Sequence, residues 1–235
     1  MRQRKVLITG ASGFIGGFLT DEALKRGYEV WAGVRSHSSR AHLQDERICF
    51  MDLNYKDEEA LKAQLADFVA KEGAWDYVIH NAGLTKTLNK ADFFEVNAGN
   101  THRFLNALAE KCPPSKFLLM SSLSSFGQGD EEEFSPIRLT DPQRPNTVYG
   151  KSKLEAENYV RRQQAFPYVI LRPTGVYGPG ERDYFLEIQS IQSGFDFAVG
   201  RIPQRITFIY VKDLARVAFD ALEKEEVRNK EYFVA

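Results

Sequence analysis

The chain has 235 residues, which suits one sizeable α/β domain or one domain with a small appendage. Hydrophobic residues make up 43 %, enough for an ordinary core, and a formal net charge of -1 leaves no global basic field for nucleic acid. No apolar run reaches the roughly 18 residues that a membrane span needs, and the opening MRQRK carries no signal-peptide core, so a cytoplasmic protein is expected. Cys49 and Cys112 form no CxxC pair. Two buried thiols in a reducing compartment are expected, and no metal site.

In chain order, Lys5 to Thr9 is an apolar run ending in a Gly-rich turn and reads as a buried strand. Phe14 to Arg26 has helical spacing, closed by Gly27. Strands follow at Tyr28 to Val34 and Arg47 to Met51, then a helix from Asp57 to Lys71 with Leu61, Leu65 and Phe68 on one face. A strand at Tyr77 to His80, a long helix from Asp92 to Lys111, a strand at Lys116 to Ser121, a helix from Thr147 to Gln164 and a strand at Tyr168 to Leu171 continue the alternation. This order predicts an α/β fold with a parallel sheet covered on both faces. Beyond residue 172 the pattern loosens. A Gly/Pro loop (Gly175 to Gly180), a helix near Asp183 to Ser193, a strand near Ile206 to Tyr210, a helix from Lys212 to Lys224 and a last strand from Glu231 are expected. The acidic run Asp130 to Glu133 reads as a solvated loop.

The first strand ends in Thr9-Gly10-Ala11-Ser12-Gly13-Phe14-Ile15-Gly16, spaced GxxGxxG. Such a turn brings backbone N–H groups against a pyrophosphate at a helix N-terminus, where side chains would block the approach. Gly10, Ser12, Gly13, Phe14 and Ile15 are the candidate contacts, and Gly16 lets helix and strand pack closely. The competing reading is an ordinary tight βα turn. The second strand leads into Arg35, with no Asp or Glu at its end to read an adenine ribose, and Glu29 lies at the wrong end. Arg35 and Arg40, with Ser36, can instead pair with a 2′-phosphate, so NADP is preferred over NAD. A solvated basic loop would leave that preference open. After the third strand, Asp52 and Leu53 can meet the adenine.

Tyr149 and Lys153 stand at i and i+4, one turn apart on one helix face. A tyrosine with its reference pKa near 10 is a poor acid–base group at neutral pH, and a neighbouring ammonium draws it lower. The alternative is a tyrosine packed on a lysine stem. The fifth strand ends in Ser121, Ser122, Ser124 and Ser125, where a hydroxyl can donate to a substrate oxygen; a polar loop is the plainer alternative.

These motifs, with Asn81-Ala82-Gly83 and Asn97, occur in the order of the short-chain dehydrogenase/reductase superfamily. The segment from Arg172 to Gly180 and that from Phe208 to Ala215 resemble its extended branch, the NAD(P)-dependent epimerase/dehydratase type. The resemblance implies a Rossmann-type doubly wound parallel sheet. Residues 1–172 would form the NAD(P)-binding domain, and 173–235 would complete the sheet and add a small, truncated substrate-binding part. It implies Ser122 as the polarising hydroxyl with Ser124 as second choice, Tyr149 as acid/base, Lys153 as its partner, and Asn97 as support or proton relay. Asn81, Ala82, Gly83, Pro173 and Val176 would line the cofactor, and Thr85 and Lys86 would face either substrate or solvent. Leu123-Ser124 stands where sugar-nucleotide dehydratases of the branch carry Asp-Glu, which argues against dehydration. A carbonyl reductase or alcohol dehydrogenase acting on a small molecule is expected. A sugar-nucleotide epimerase with tightly held NAD, or a non-catalytic nucleotide-binding protein, are the alternatives. The resemblance also implies a homodimer through the two long helices.

Overall fold

The computed structural model describes residues 2–195 and 205–235. Nine strands are present among them: β1 (Lys5–Thr9), β2 (Glu29–Gly33), β3 (Ile48–Met51), β4 (Tyr77–His80), β5 (Lys116–Met120), β6 (Tyr168–Pro173), β7 (Gly175–Tyr177), β8 (Phe208–Tyr210) and β9 (Lys230–Val234). The α-helices are α1 (Phe14–Lys25), α2 (Glu58–Glu72), α3 (Ala91–Phe93), α4 (Asn100–Lys111), α5 (Val148–Arg162), α6 (Asp183–Gln192) and α7 (Val211–Glu223). Seven strands form one parallel sheet in the order β3-β2-β1-β4-β5-β6-β9. The order reverses between β1 and β4. In an open α/β sheet that switch point opens a crevice at the carboxyl ends of the strands.

Two apolar layers hold the sheet. On one face α1 and α7 pack over Val6, Ile8, Ile79, Leu118 and Leu171. On the other, α2, α4 and α5 cover Leu7, Val78, Phe117, Leu119 and Ile170. Burial on both faces explains why β1 reads as a continuous apolar run without alternation. Trp75 stacks on Phe68 with ring centroids 4.0 Å apart and anchors the base of the second layer. Local chemistry sets the helix starts. Asp57 accepts the Glu59 and Ala60 N–H groups at 3.0 and 3.1 Å, and Thr147 accepts from Gly150 at 2.9 Å.

The fold departs from the sequence reading in three places. The long helix is not uniformly α: residues Phe94–Gly99 form a π-helical segment between α3 and α4. The Gly/Pro loop contains β7, which pairs in parallel with β8 as a separate two-stranded sheet. Cys49 is only partly buried, whereas Cys112 is buried as expected. After residue 172 the chain returns to the seven-stranded sheet. β9 extends it beside β6, and α7 lies against α1. Lys116 locks this arrangement, donating to the carbonyls of Ala221 and Lys224 at 3.2 and 2.6 Å, where a cation suits the C-terminal end of α7. Among the described residues, no helix is long and apolar enough to cross a membrane.

Candidate active site

A cleft of about 2260 Å³ runs along the carboxyl edge of the sheet. At its centre lies the glycine turn. Gly10 has φ +66°, and a Cβ there would sit 2.8 Å from the Ala82 Cα. At Gly16 a Cβ would lie 2.1 Å from the Gly10 carbonyl oxygen, so Gly16 is a packing residue beneath the turn, not part of the cleft wall. Gly13 caps α1 without any side-chain hydrogen bond. The first-turn amides therefore have no capping side chain, and Gly10, Ser12, Gly13, Phe14 and Ile15 line the cleft. This cradle, which a side chain would fill, fits a dinucleotide pyrophosphate.

At the adenosine end, Arg35, Asp52 and Leu53 line the cleft. Arg40 and Ser36 do not. The Arg40 guanidinium lies 4.1 Å over the Phe50 ring, and the Ser36 N–H is spent on the Asp52 carboxylate at 2.7 Å. His37, Ser38 and His42 take their place on the wall. Glu29 is engaged elsewhere, accepting from Trp31 and pairing with Lys5.

Beyond the switch point, Asn81, Ala82 and Gly83 form the opposite wall, and Pro173 and Val176 close the far side. Ser122, Ser124, Tyr149 and Lys153 stand together on the floor. Gly150 brings them there: a Cβ on it would lie 2.2 Å from the Ser124 carbonyl oxygen, so only glycine lets the serine turn, Leu123–Ser125, lean on the start of α5. Lys153 donates to the Met120 carbonyl at 2.7 Å, and burial pulls its pKa down to about 8. Tyr149 differs from expectation. Burial raises its pKa above the ordinary value, and hydrogen bonding to Ser122 pulls only partly the other way. The Lys153 ammonium is directed at the end of β5, so its charge is not spent on the phenol.

Asn97 is buried off the cleft wall. Its side chain accepts from the Leu84 N–H at 2.7 Å and donates to the Leu84 carbonyl and to Ser152 Oγ, both at 3.0 Å. It positions the Gly83–Leu84 turn. Thr85 and Lys86 line the outer cleft, where Lys86 pairs with Asp183 at 2.6 Å.

The family model for the NAD dependent epimerase/dehydratase family matches residues 6–235. The chain belongs to this family. Among curated relatives, the ketoreductase azaE of Aspergillus niger is 24 % identical, the match covering 98 % of this chain and 77 % of that one. UDP-glucose 4-epimerase of Vibrio cholerae is 26 % identical, with 99 % of this chain and 70 % of the relative covered. The solved structure of UDP-glucose 4-epimerase from Thermus thermophilus in complex with NAD superposes with a TM-score of 0.81 at 22 % identity, over 98 % of this chain and 77 % of that one. The last likeness shows the shared fold. This member of the epimerase/dehydratase family is thus an enzyme of the extended short-chain dehydrogenase/reductase type, as its motifs imply.

Two groups of residues in this family member were not singled out from the sequence. Glu157, two turns beyond Tyr149 on the same face of α5, forms a bidentate pair with Arg172 at 2.9 and 2.8 Å and also accepts from Ser121. Its i+8 spacing from Tyr149 was the available signal. His80, a lone histidine closing an apolar strand, lies between Thr9 and Thr101 at 2.9 and 3.0 Å. Burial, then the nearby Lys153 charge, pushes His80 down to about 3, so it is neutral at physiological pH.

Proposed function

We propose that this enzyme moves a hydride between a nicotinamide cofactor and the carbonyl or alcohol carbon of a small molecule, with Tyr149 as acid/base. The observation that carries this reading is that the glycine turn, Ser122, Tyr149 and Lys153 line one cleft. The bound nicotinamide supplies or takes up the hydride. In the reducing direction Tyr149 gives its proton to the oxygen of the former carbonyl, while the Ser122 hydroxyl donates to the same oxygen. Lys153, one helical turn on, holds the end of β5 in place through the Met120 carbonyl. A raised Tyr149 pKa keeps the phenol protonated before this step. The second reading is a sugar-nucleotide epimerase, favoured by the similarity to UDP-glucose 4-epimerase of Vibrio cholerae. No acid at the end of β2 supports it.

NADP is the preferred cofactor on this reading. Support comes from Arg35 on the cleft wall with Ser38, His37 and His42 beside it, whereas Arg40 and Ser36 lend nothing directly. Parallel titrations with NADPH and NADH test this. NADPH should bind more tightly, and Arg35→Glu should weaken it by at least about tenfold, ~1.4 kcal/mol, with little change for NADH. Equal affinities in the unaltered protein would remove the preference. NAD carried through purification would favour the epimerase.

The partner we propose is a second copy of the chain, through the outer faces of α4 and α5, where His102 stacks on Tyr159 with ring centroids 4.2 Å apart. Sedimentation should give a dimer, and monomers across micromolar concentrations would reverse this. We place the enzyme in the cytoplasm because Cys49 and Cys112 are unpaired; recovery from a secreted fraction alone would refute that.

A further inference from the structure

We infer that His80 is a positioning residue that couples the cofactor turn to the helix carrying Tyr149, through a directed thread of buried hydrogen bonds. The inference rests on the cofactor reading above. The thread starts at the cleft wall, where the Ala82 N–H donates to Thr9 Oγ1 at 3.1 Å. Thr9 Oγ1 lies 2.9 Å from His80 Nδ1, and His80 Nε2 lies 3.0 Å from Thr101 Oγ1. Thr101 Oγ1 donates to the Asn97 carbonyl at 2.7 Å. The Asn97 side-chain amide donates to Ser152 Oγ at 3.0 Å, and Ser152 Oγ donates to the Tyr149 carbonyl at 2.7 Å.

Donor accounting fixes the direction. The Thr101 hydroxyl proton is used on Asn97, so Thr101 can only accept from His80, and Nε2 carries the proton. Nδ1 is then an acceptor, and Thr9 supplies the hydroxyl proton while accepting from Ala82. Neutral His80 in this tautomer satisfies both neighbours. Thr9, His80, Asn97, Thr101 and Ser152 are buried, so a broken link would leave an unpaired polar group away from water. The thread also passes through the π-helical segment, where the Asn100 N–H reaches back to the Glu95 carbonyl. Such segments are rare and frequently mark functional sites. Displacement of Ala82 by a ligand in the cleft is therefore passed to the backbone of Tyr149 and not absorbed by soft packing.

The test is hydrogen–deuterium exchange of residues 148–152 in the full chain, with and without whichever of NADPH or NADH binds. In the unaltered protein the cofactor should slow exchange there by at least about fivefold. Thr101→Val cuts the thread at nearly constant shape and off the cleft wall, and His80→Phe cuts it inside the aromatic cluster of Phe104 and Phe117. Both should still bind cofactor and lose most of the response, and His80→Gln, which keeps a donor and an acceptor, should restore part of it. A purely structural role would lower stability and leave the cofactor-dependent slowing in place. Folded variants that bind cofactor and keep the full response would overturn the inference, as would an unaltered protein that binds with no response in 148–152. Absence of binding in the unaltered protein would overturn the cofactor reading and this inference with it.

Discussion

Tyr149→Phe should lower turnover by about 10²–10⁴-fold, the usual contribution of a positioned acid–base group, with cofactor affinity almost unchanged. The substitution removes only the hydroxyl. The ring would keep its edge contact with Phe93, whose centroid lies 5.9 Å away. Turnover in the reducing direction should also have a falling limb near pH 8. Lys153 is charged below its pKa of about 8, and the positive charge it places at the end of β5, beside the serine turn, is lost as pH rises through that value. Undiminished turnover in Tyr149→Phe would remove the assignment of the acid/base, and a profile flat from pH 6 to 10 would remove the role of Lys153. Both are read from steady-state rates, with circular dichroism confirming that the variant is folded.

Arg172→Met should cost about 3–5 kcal/mol of stability, because it takes the bidentate partner from the fully buried carboxylate of Glu157 and leaves it the single contact with Arg161 at 3.0 Å as its ion pair. For a chain of this size that lowers Tm by on the order of 10 °C. Arg172 also pairs with Glu231, which Arg161 holds at 2.7 Å, so one cluster ties α5, β6 and β9 together. The double variant Glu157→Leu/Arg172→Met should recover much of the loss, since a matched apolar pair leaves no stranded charge. A loss below about 1 kcal/mol in the single variant would show that Arg161, 3.0 Å from Glu157, is sufficient to hold the buried charge. Acid should reveal the same cluster. Burial raises the Glu231 pKa, but hydrogen bonds from Arg161 and Arg172 outweigh it and leave the group at about 2. Its contribution is present above the ordinary value of 4.5 and is lost as pH falls from there toward 2. Thermal melts between pH 6 and 3 should therefore flatten in Arg172→Met relative to the unaltered protein.

The consequence for the site is that Tyr149 is held in two ways. Glu157 anchors α5 to the far strands, and Asn97 and Ser152 anchor its start. Neither anchor shares the cleft with the reacting groups, yet both decide where the phenol sits.

Strand and helix order, the glycine turn, the i, i+4 pair of Tyr149 and Lys153 and the serine-rich strand end were legible because each depends on neighbours a few residues away. Apolar runs mark strands buried on both faces, and a turn without side chains marks a close backbone approach. A last strand from Glu231 was legible in the same way, but its place beside β6 was not. What it did not determine involves partners far apart along the chain. His80 and Thr9 are 71 residues apart, and Arg172 and Glu231 are 59. Whether Arg35 or Arg40 faces the cleft depended on where the third strand placed Phe50, whose ring draws Arg40 away. The Tyr149 pKa likewise followed from tertiary structure: the i+4 spacing puts Lys153 on the right face, but the Met120 carbonyl directs its ammonium and burial raises the phenol. Spacing along a chain sets which groups can meet, whereas burial and the competition for hydrogen-bond partners set what they do when they meet.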